Sequence, residues 1–115
     1  MASTPLDQSV AVCELLADLP ITKAATTSRV VVNNPLIRVV CFAMDAGQVL
    51  TEHAAARAVV VQLLSGTMTF TVAGTDHLLQ PGDVIYLAPN ERHAVVANEA
   101  CHMSLVLIDH TRDHE

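Results

Sequence analysis

From residue 29 onward, short apolar, β-branched runs alternate with turn-forming groups. The runs cover 29–32, 36–44, 48–53, 58–64, 67–72, 76–79, 84–88, 93–97 and 101–108. Between them stand Asn33 to Pro35, Asp45 to Gly47, Ser65 and Gly66, Ala73 and Gly74, and Gln80 to Asp83. Short strands at this spacing, with no helical period between them, predict an all-β antiparallel sandwich or barrel. The clearest strand is 67–72, where Met68, Phe70 and Val72 alternate with Thr67, Thr69 and Thr71, so one face is buried and the other polar. The runs 58–64 and 102–108 are apolar on both faces, which calls for a second cover, from another sheet or from a partner subunit. Ahead of the strands, Val12, Leu15, Leu16 and Leu19 recur at helical spacing, with Ser9 as a cap and Pro20 as a stop. That pattern predicts a short amphipathic helix over 9–19.

The chain has 115 residues, enough for one domain with its own core. Its expected division is an N-terminal extension over 1–28 that carries the short helix, a barrel over 29–110 and a loose polar tail over 111–115. Hydrophobic residues make up 51% and charged ones 16%, which excludes a disordered body. The net charge of −6 and the single, scattered basic residues (Lys23, Arg29, Arg38, Arg57, Arg92, Arg112) argue against nucleic acid and anionic membrane as partners. No apolar run approaches a membrane span, and the first residues lack the basic start and apolar block of a signal peptide. Cys13, Cys41 and Cys101 form no CxxC pair, so they are expected as reduced thiols in the cytoplasm, acting as small buried apolar groups. So few charges on so apolar a chain also predict that another copy covers part of the surface, most simply in a homodimer.

Two segments carry a recognisable spacing. In the first, Gly47, His53, Ala55, Val59 and Gly66 fall on the positions of G(X)5HXH(X)3E(X)6G. In the second, Gly82, Ala88, Asn90, His93 and Ala97 fall on those of G(X)5PXG(X)2H(X)3N, with Pro89 and Asn98 displaced by one. The chain thereby resembles the cupin superfamily, over residues 36–108, and in particular small single-domain RmlC-like members. The resemblance implies a double-stranded β-helix, or jelly-roll barrel. It does not select an activity, because that architecture hosts many unrelated functions.

Metal-binding members of the family bring three histidines and a glutamate together inside the barrel. Mapped onto this chain, two of those positions are His53 and His93, and the others are Ala55 and Val59. Two imidazoles without a carboxylate leave a divalent ion such as Zn, Ni, Fe or Mn with an incomplete coordination sphere. His102 is the candidate third donor; Cys41, Cys101, Glu52 and Glu91 are weaker ones, and strand parity turns Glu52 away from its neighbour His53. His77, His110 and His114 read as solvated. Arg57 is placed to present a cation at the mouth, suited to a carboxylate-bearing ligand, and Met68, Phe70 and Tyr86 are placed as the apolar wall of a ligand cavity. No catalytic residue is assigned. A neutral histidine acting as general base, with Tyr86 as proton source, is what the sugar-epimerase branch of the fold suggests, but no aspartate is fixed beside either histidine. Three functions follow: a binder of a small organic ligand at a degenerate two-histidine site, a metal-dependent oxygenase or isomerase using His53 and His93, or a structural or regulatory homodimer.

Overall fold

The computed structural model describes residues 3–109. They form nine strands and, among the described residues, no helix: β1 Thr26–Asn33, β2 Ile37–Met44, β3 Val49–His53, β4 Ala58–Ser65, β5 Met68–Val72, β6 Thr75–Leu79, β7 Val84–Leu87, β8 His93–Ala97 and β9 Cys101–Ile108. Each predicted run became a strand, with β1 reaching back to Thr26 through its pairing with Met44. The strands build a five-stranded sheet in the order β1-β2-β9-β4-β7 and a four-stranded sheet in the order β3-β8-β5-β6. Every pairing is antiparallel. This is the expected all-β jelly roll.

Alternation sorts the side chains. Met44, Val59, Val61, Leu63, Leu87 and Met103 point inward from the larger sheet and meet Met68, Phe70 and Val95 from the smaller one in a single core. Burying each of the larger groups contributes about 1.5–3 kcal/mol relative to leaving it in water. The opposite parity of the larger sheet presents Cys41 and Ala43 outward, and there a second, smaller cluster forms with Leu15, Leu16, Leu19 and Ile21 of the N-terminal segment.

That segment does not form the predicted helix over 9–19. Glu14 has a φ of 56°, which ends any right-handed run, and what remains is one turn in which Asp18 N donates to Glu14 O and Leu19 N to Leu16 O. An isolated helix of this length is marginal in water, so packing on the sheet decides the conformation. The spaced leucines lie on the sheet as expected of an apolar face, but through a turn. The tail over 111–115 lies outside the described residues.

Turn chemistry closes the hairpins. Ala73 and Gly74, between β5 and β6, have φ values of 49° and 82°, the positive pair that a two-residue type I′ connection requires. Gly66 is more tightly constrained. Its φ is 74°, and a Cβ there would run into the Ala100 carbonyl oxygen and come within 2.7 Å of Cys101 Cβ. Gly47 has a similar φ of 86° but open space around it. Gly47→Ala should therefore cost about 1–2 kcal/mol, the left-handed conformation alone, and Gly66→Ala distinctly more. The two midpoints in urea denaturation measure this; equal costs would show that the close approach at Gly66 relaxes freely.

Candidate functional site

One end of the barrel gathers the chemistry. β3 ends at His53 and β4 begins at Ala58; β7 ends at Leu87 and β8 begins at His93. In register His53 stands opposite His93, Val72 opposite His93, and Val59 opposite Leu87, so these strand ends lie side by side. The links 54–57 and 88–92, which join the two sheets at this end, are tied by Asn90 N donating to Ala55 O at 2.7 Å. Asn90 adopts a φ of 69°. Asparagine tolerates this left-handed region better than most residues, so it can stand where the second spacing has glycine.

A β-bulge brings His53 into place. Leu50 pairs with Val95 and His53 with His93, three steps along β3 against two along β8. Leu50 packs against the core, and without the extra residue His53 would point to the other face. The bulge resets the parity, and Glu52 turns outward to pair with Arg92 at 3.1 Å.

The imidazoles of His53 and His93 meet edge to face, with ring centroids 4.2 Å apart and an interplanar angle of 61°. Phe70 stacks against His93 at 5.6 Å and 12°. His93 is therefore held between a ring from β5 and a ring from β3, with 4% of its surface exposed, while His53 is open to solvent. Each Nδ1 faces a backbone carbonyl two residues back, Thr51 O at 2.7 Å for His53 and Glu91 O at 3.0 Å for His93. A carbonyl oxygen only accepts, so both Nδ1 atoms carry hydrogen, and in the neutral rings each Nε2 is left as a lone-pair acceptor. The one buried side-chain polar atom without a partner among the described residues is Thr27 Oγ1, so the unpartnered Nε2 of His93 keeps contact with solvent. Burial holds the His93 imidazole below the usual value of 6.5; the carbonyl of Glu91 opposes this, and the neighbouring His53 adds to it. At neutral pH His93 is therefore uncharged.

The other expected site residues divide. Arg57 lies half-buried on the 54–57 link between β3 and β4. Met68 and Phe70 are inside, but as core residues at 0% and 1% exposure. Tyr86 needs correction: it pairs with Val60 on the outward parity and is 63% exposed, so it walls no interior space. His102 is likewise on the outward face of β9, opposite Ala43 and Ser65. Its Nε2 donates to Leu19 O at 2.7 Å and its Nδ1 accepts from Ser65 Oγ at 2.8 Å, which fastens the N-terminal segment to the sheet. It does not join the histidine pair. His77 is exposed on β6, opposite Phe70. Cys41 and Cys101 are buried thiols, the latter pushed up to about 11 by desolvation, which makes it a poor nucleophile.

Sequence reasoning passed over Arg38. It is the register partner of Leu107, which packs on the core, so its parity is inward, at the end of the sheet next to Ile37 and Ile108. Neither Arg38 nor Arg57 has an ion-pair or hydrogen-bond partner among the described residues. The signal was available: Arg38 shares parity with Val40, Phe42 and Met44 in the run 36–44. Among the described residues no ligand-sized cavity enters the core, so the accessible chemistry is at the rim.

The family model of the Cupin domain matches residues 40–109. The chain belongs to the cupin family. No curated protein matches it. Among solved structures, a conserved protein of unknown function from Streptococcus pyogenes is similar at a TM-score of 0.81 and 25% identity, over 95% of this chain and 96% of that one. A cupin superfamily protein from Desulfitobacterium hafniense is similar at 0.77 and 17% identity, over 94% and 97%. A cupin 2 conserved barrel domain protein from Leptotrichia buccalis gives 0.77 and 26%, over 82% of this chain and 46% of that one.

The metal that the cupin fold implies does not fit the donors present here. Ala55 is half-buried and Val59 is a core residue at 2% exposure, and neither carries a donor atom. Among the described residues no three His, Cys, Asp or Glu side chains come together. Two neutral nitrogens supply neither the ligand number nor the negative charge of a tight divalent site.

The lowered His93 value in this cupin fixes the sign of a pH effect. The unfolded chain takes up the proton near pH 6.5 and the folded one only at lower pH. Stability is therefore full above 6.5 and falls as the pH drops from there toward the folded value. Imidazole NMR titration should find His93 titrating below 6.5, and His93→Gln should flatten the pH dependence of the urea midpoint across that interval. A His93 titration at or above 6.5 would contradict this account.

Proposed function

We propose that this cupin binds a small organic anion bearing hydroxyl groups at the rim of its barrel. The observation that carries the reading is the edge-to-face pair of His53 and His93, each with its Nδ1–H bonded to the backbone carbonyl two residues back. The neutral His93 imidazole calls for a hydrogen-bond donor, and a ligand hydroxyl meets that demand without desolvating a charge. Arg57 and Arg38, both at this end and both without a partner among the described residues, supply the cations for a carboxylate. The pair acts in this reading as a recognition element and not as ligands of a resident ion, because the donor set is too small. The three free thiols suit a cytoplasmic protein.

Thermal-shift titration with a panel of small hydroxy acids and their uncharged amides tests the reading, since a ligand that binds only the folded state raises the midpoint as its concentration passes Kd. Hydroxy acids should raise the midpoint and the matching amides much less. His53→Ala, at an exposed position, should remove the shift, and Arg57→Ala should remove the preference for acid over amide. If no acid shifts the midpoint at millimolar concentration, the reading fails. Elemental analysis finding about one Fe, Mn, Ni or Zn per chain, lost in His53→Ala, would put the metal-dependent reading in its place.

A further inference from the structure

His53 is the less firmly held member of the ring pair. His93 is buried between Phe70 and His53, and its strand is paired on both sides, with β3 and with β5. β3, by contrast, is an edge strand of five residues, four of them exposed. Its register passes from Leu50 opposite Val95 directly to His53 opposite His93, so Thr51 and Glu52 have no register partner. The side-chain bond of His53 goes to Thr51 O, inside the same bulge. That bond turns the ring relative to the bulge and does nothing to hold the bulge on β8.

One side chain of the bulge does reach across. Glu52 Oε1 accepts from Arg92 Nε at 3.1 Å, and these two residues immediately precede His53 and His93. Arg92 is the fixed end of the tie. Its carbonyl accepts from Ala73 N at 3.3 Å, which fastens it to the turn between β5 and β6, and the next residue begins β8.

We propose that Glu52 and Arg92 are positioning residues, whose ion pair holds the β3 bulge in the register that sets the His53 ring against His93. Bulges beside functional sites re-aim a side chain, and a bulge on an exposed edge strand needs something to keep it aimed. An exposed ion pair adds little to the stability of a whole domain. Local opening of an edge segment, however, lies at the low end of the stability scale, so the same small contribution decides how often this segment is seated. The factor expected of an exposed pair is up to about five in the ratio of displaced to seated bulge. The positioning role belongs to the free protein; only its consequence for binding rests on the hydroxy-acid reading above.

Proton NMR of the full chain near pH 8, above the ordinary imidazole range so that ring charge does not contribute, reads the geometry through the Hδ2 and Hε1 signals of His53. Both side chains of the ion pair are exposed, 57% for Glu52 and 71% for Arg92, so substitution there leaves the core intact. Glu52→Gln and Arg92→Gln should each move the His53 signals toward those of a free imidazole, with the contacts between Phe70 and His93 unchanged. Glu52→Arg combined with Arg92→Glu should bring them back. Sodium chloride at about 1 M, where the Debye length is about 3 Å, should move the wild type in the direction of the single variants. An ion pair that only adds stability would lower the urea midpoint of the single variants and leave the His53 signals in place. That result overturns the proposal, and so does a reversed pair whose spectrum is no nearer the wild type than those of the single variants. Binding is read separately, as a smaller thermal shift with hydroxy acids in both single variants. A wild type that no hydroxy acid shifts, with the NMR effect present, counts against the ligand reading alone; unmoved His53 signals with the ligand shift retained count against the positioning role alone.

Discussion

A β-strand can send only every second side chain inward, and nine short strands here enclose one interior. A slip of one residue in any strand would push its apolar set into water. For β4 that set is Val59, Val61 and Leu63; for β9 it is Cys101 and Met103 together with Leu105 and Leu107. The register so fixed also places the site, because His93 shares its parity with Val95 and Ala97. Register shifts interrupt β1, β3 and β4, and the one in β3, between Leu50 and His53, is the physical reason that its histidine reaches the pair with His93. The core thus determines where the two imidazoles stand, and the backbone carbonyls of Thr51 and Glu91 determine which nitrogen each of them offers.

The residues at the two positions without donors shape the pair as much as the histidines do. Val59 belongs to the same core as Phe70 and Val95, and Ala55 packs against that core while its carbonyl holds Asn90. Val59 brings no charge to this interior, and burial is the leading influence on His93. That is why the His93 imidazole lies below its ordinary value. A neutral His93 at the same end of the barrel as Arg38 and Arg57 fits the proposed polar anion, held by hydrogen bonds and charge together.

Most of the architecture was legible in the residues because turn chemistry and alternation are local. Gly66, Gly74 and the runs they bound specify hairpins without reference to the rest of the chain. The pairing of residues 53 and 93 was legible only through the resemblance of the two spaced segments, since no local rule brings together positions forty apart. What escaped depended on which face of a sheet a residue takes. Tyr86 and His102 read as inward because they sit in strands with apolar neighbours, yet both belong to the outward parity, one open and one clamped to Leu19. The N-terminal helix failed for a related reason: the leucines at 15, 16 and 19 answer to the sheet beneath them, and one turn satisfies it.

The inward and outward faces of the five-stranded sheet lie on opposite parities of the same strands. β4 sends Val59 inward and Val60 outward; β9 sends Leu107 inward and Val106 outward. A substitution at one parity leaves the side chains of the other in place. The two faces are nevertheless joined mechanically, because β4 and β9 lie at the middle of the sheet and carry both.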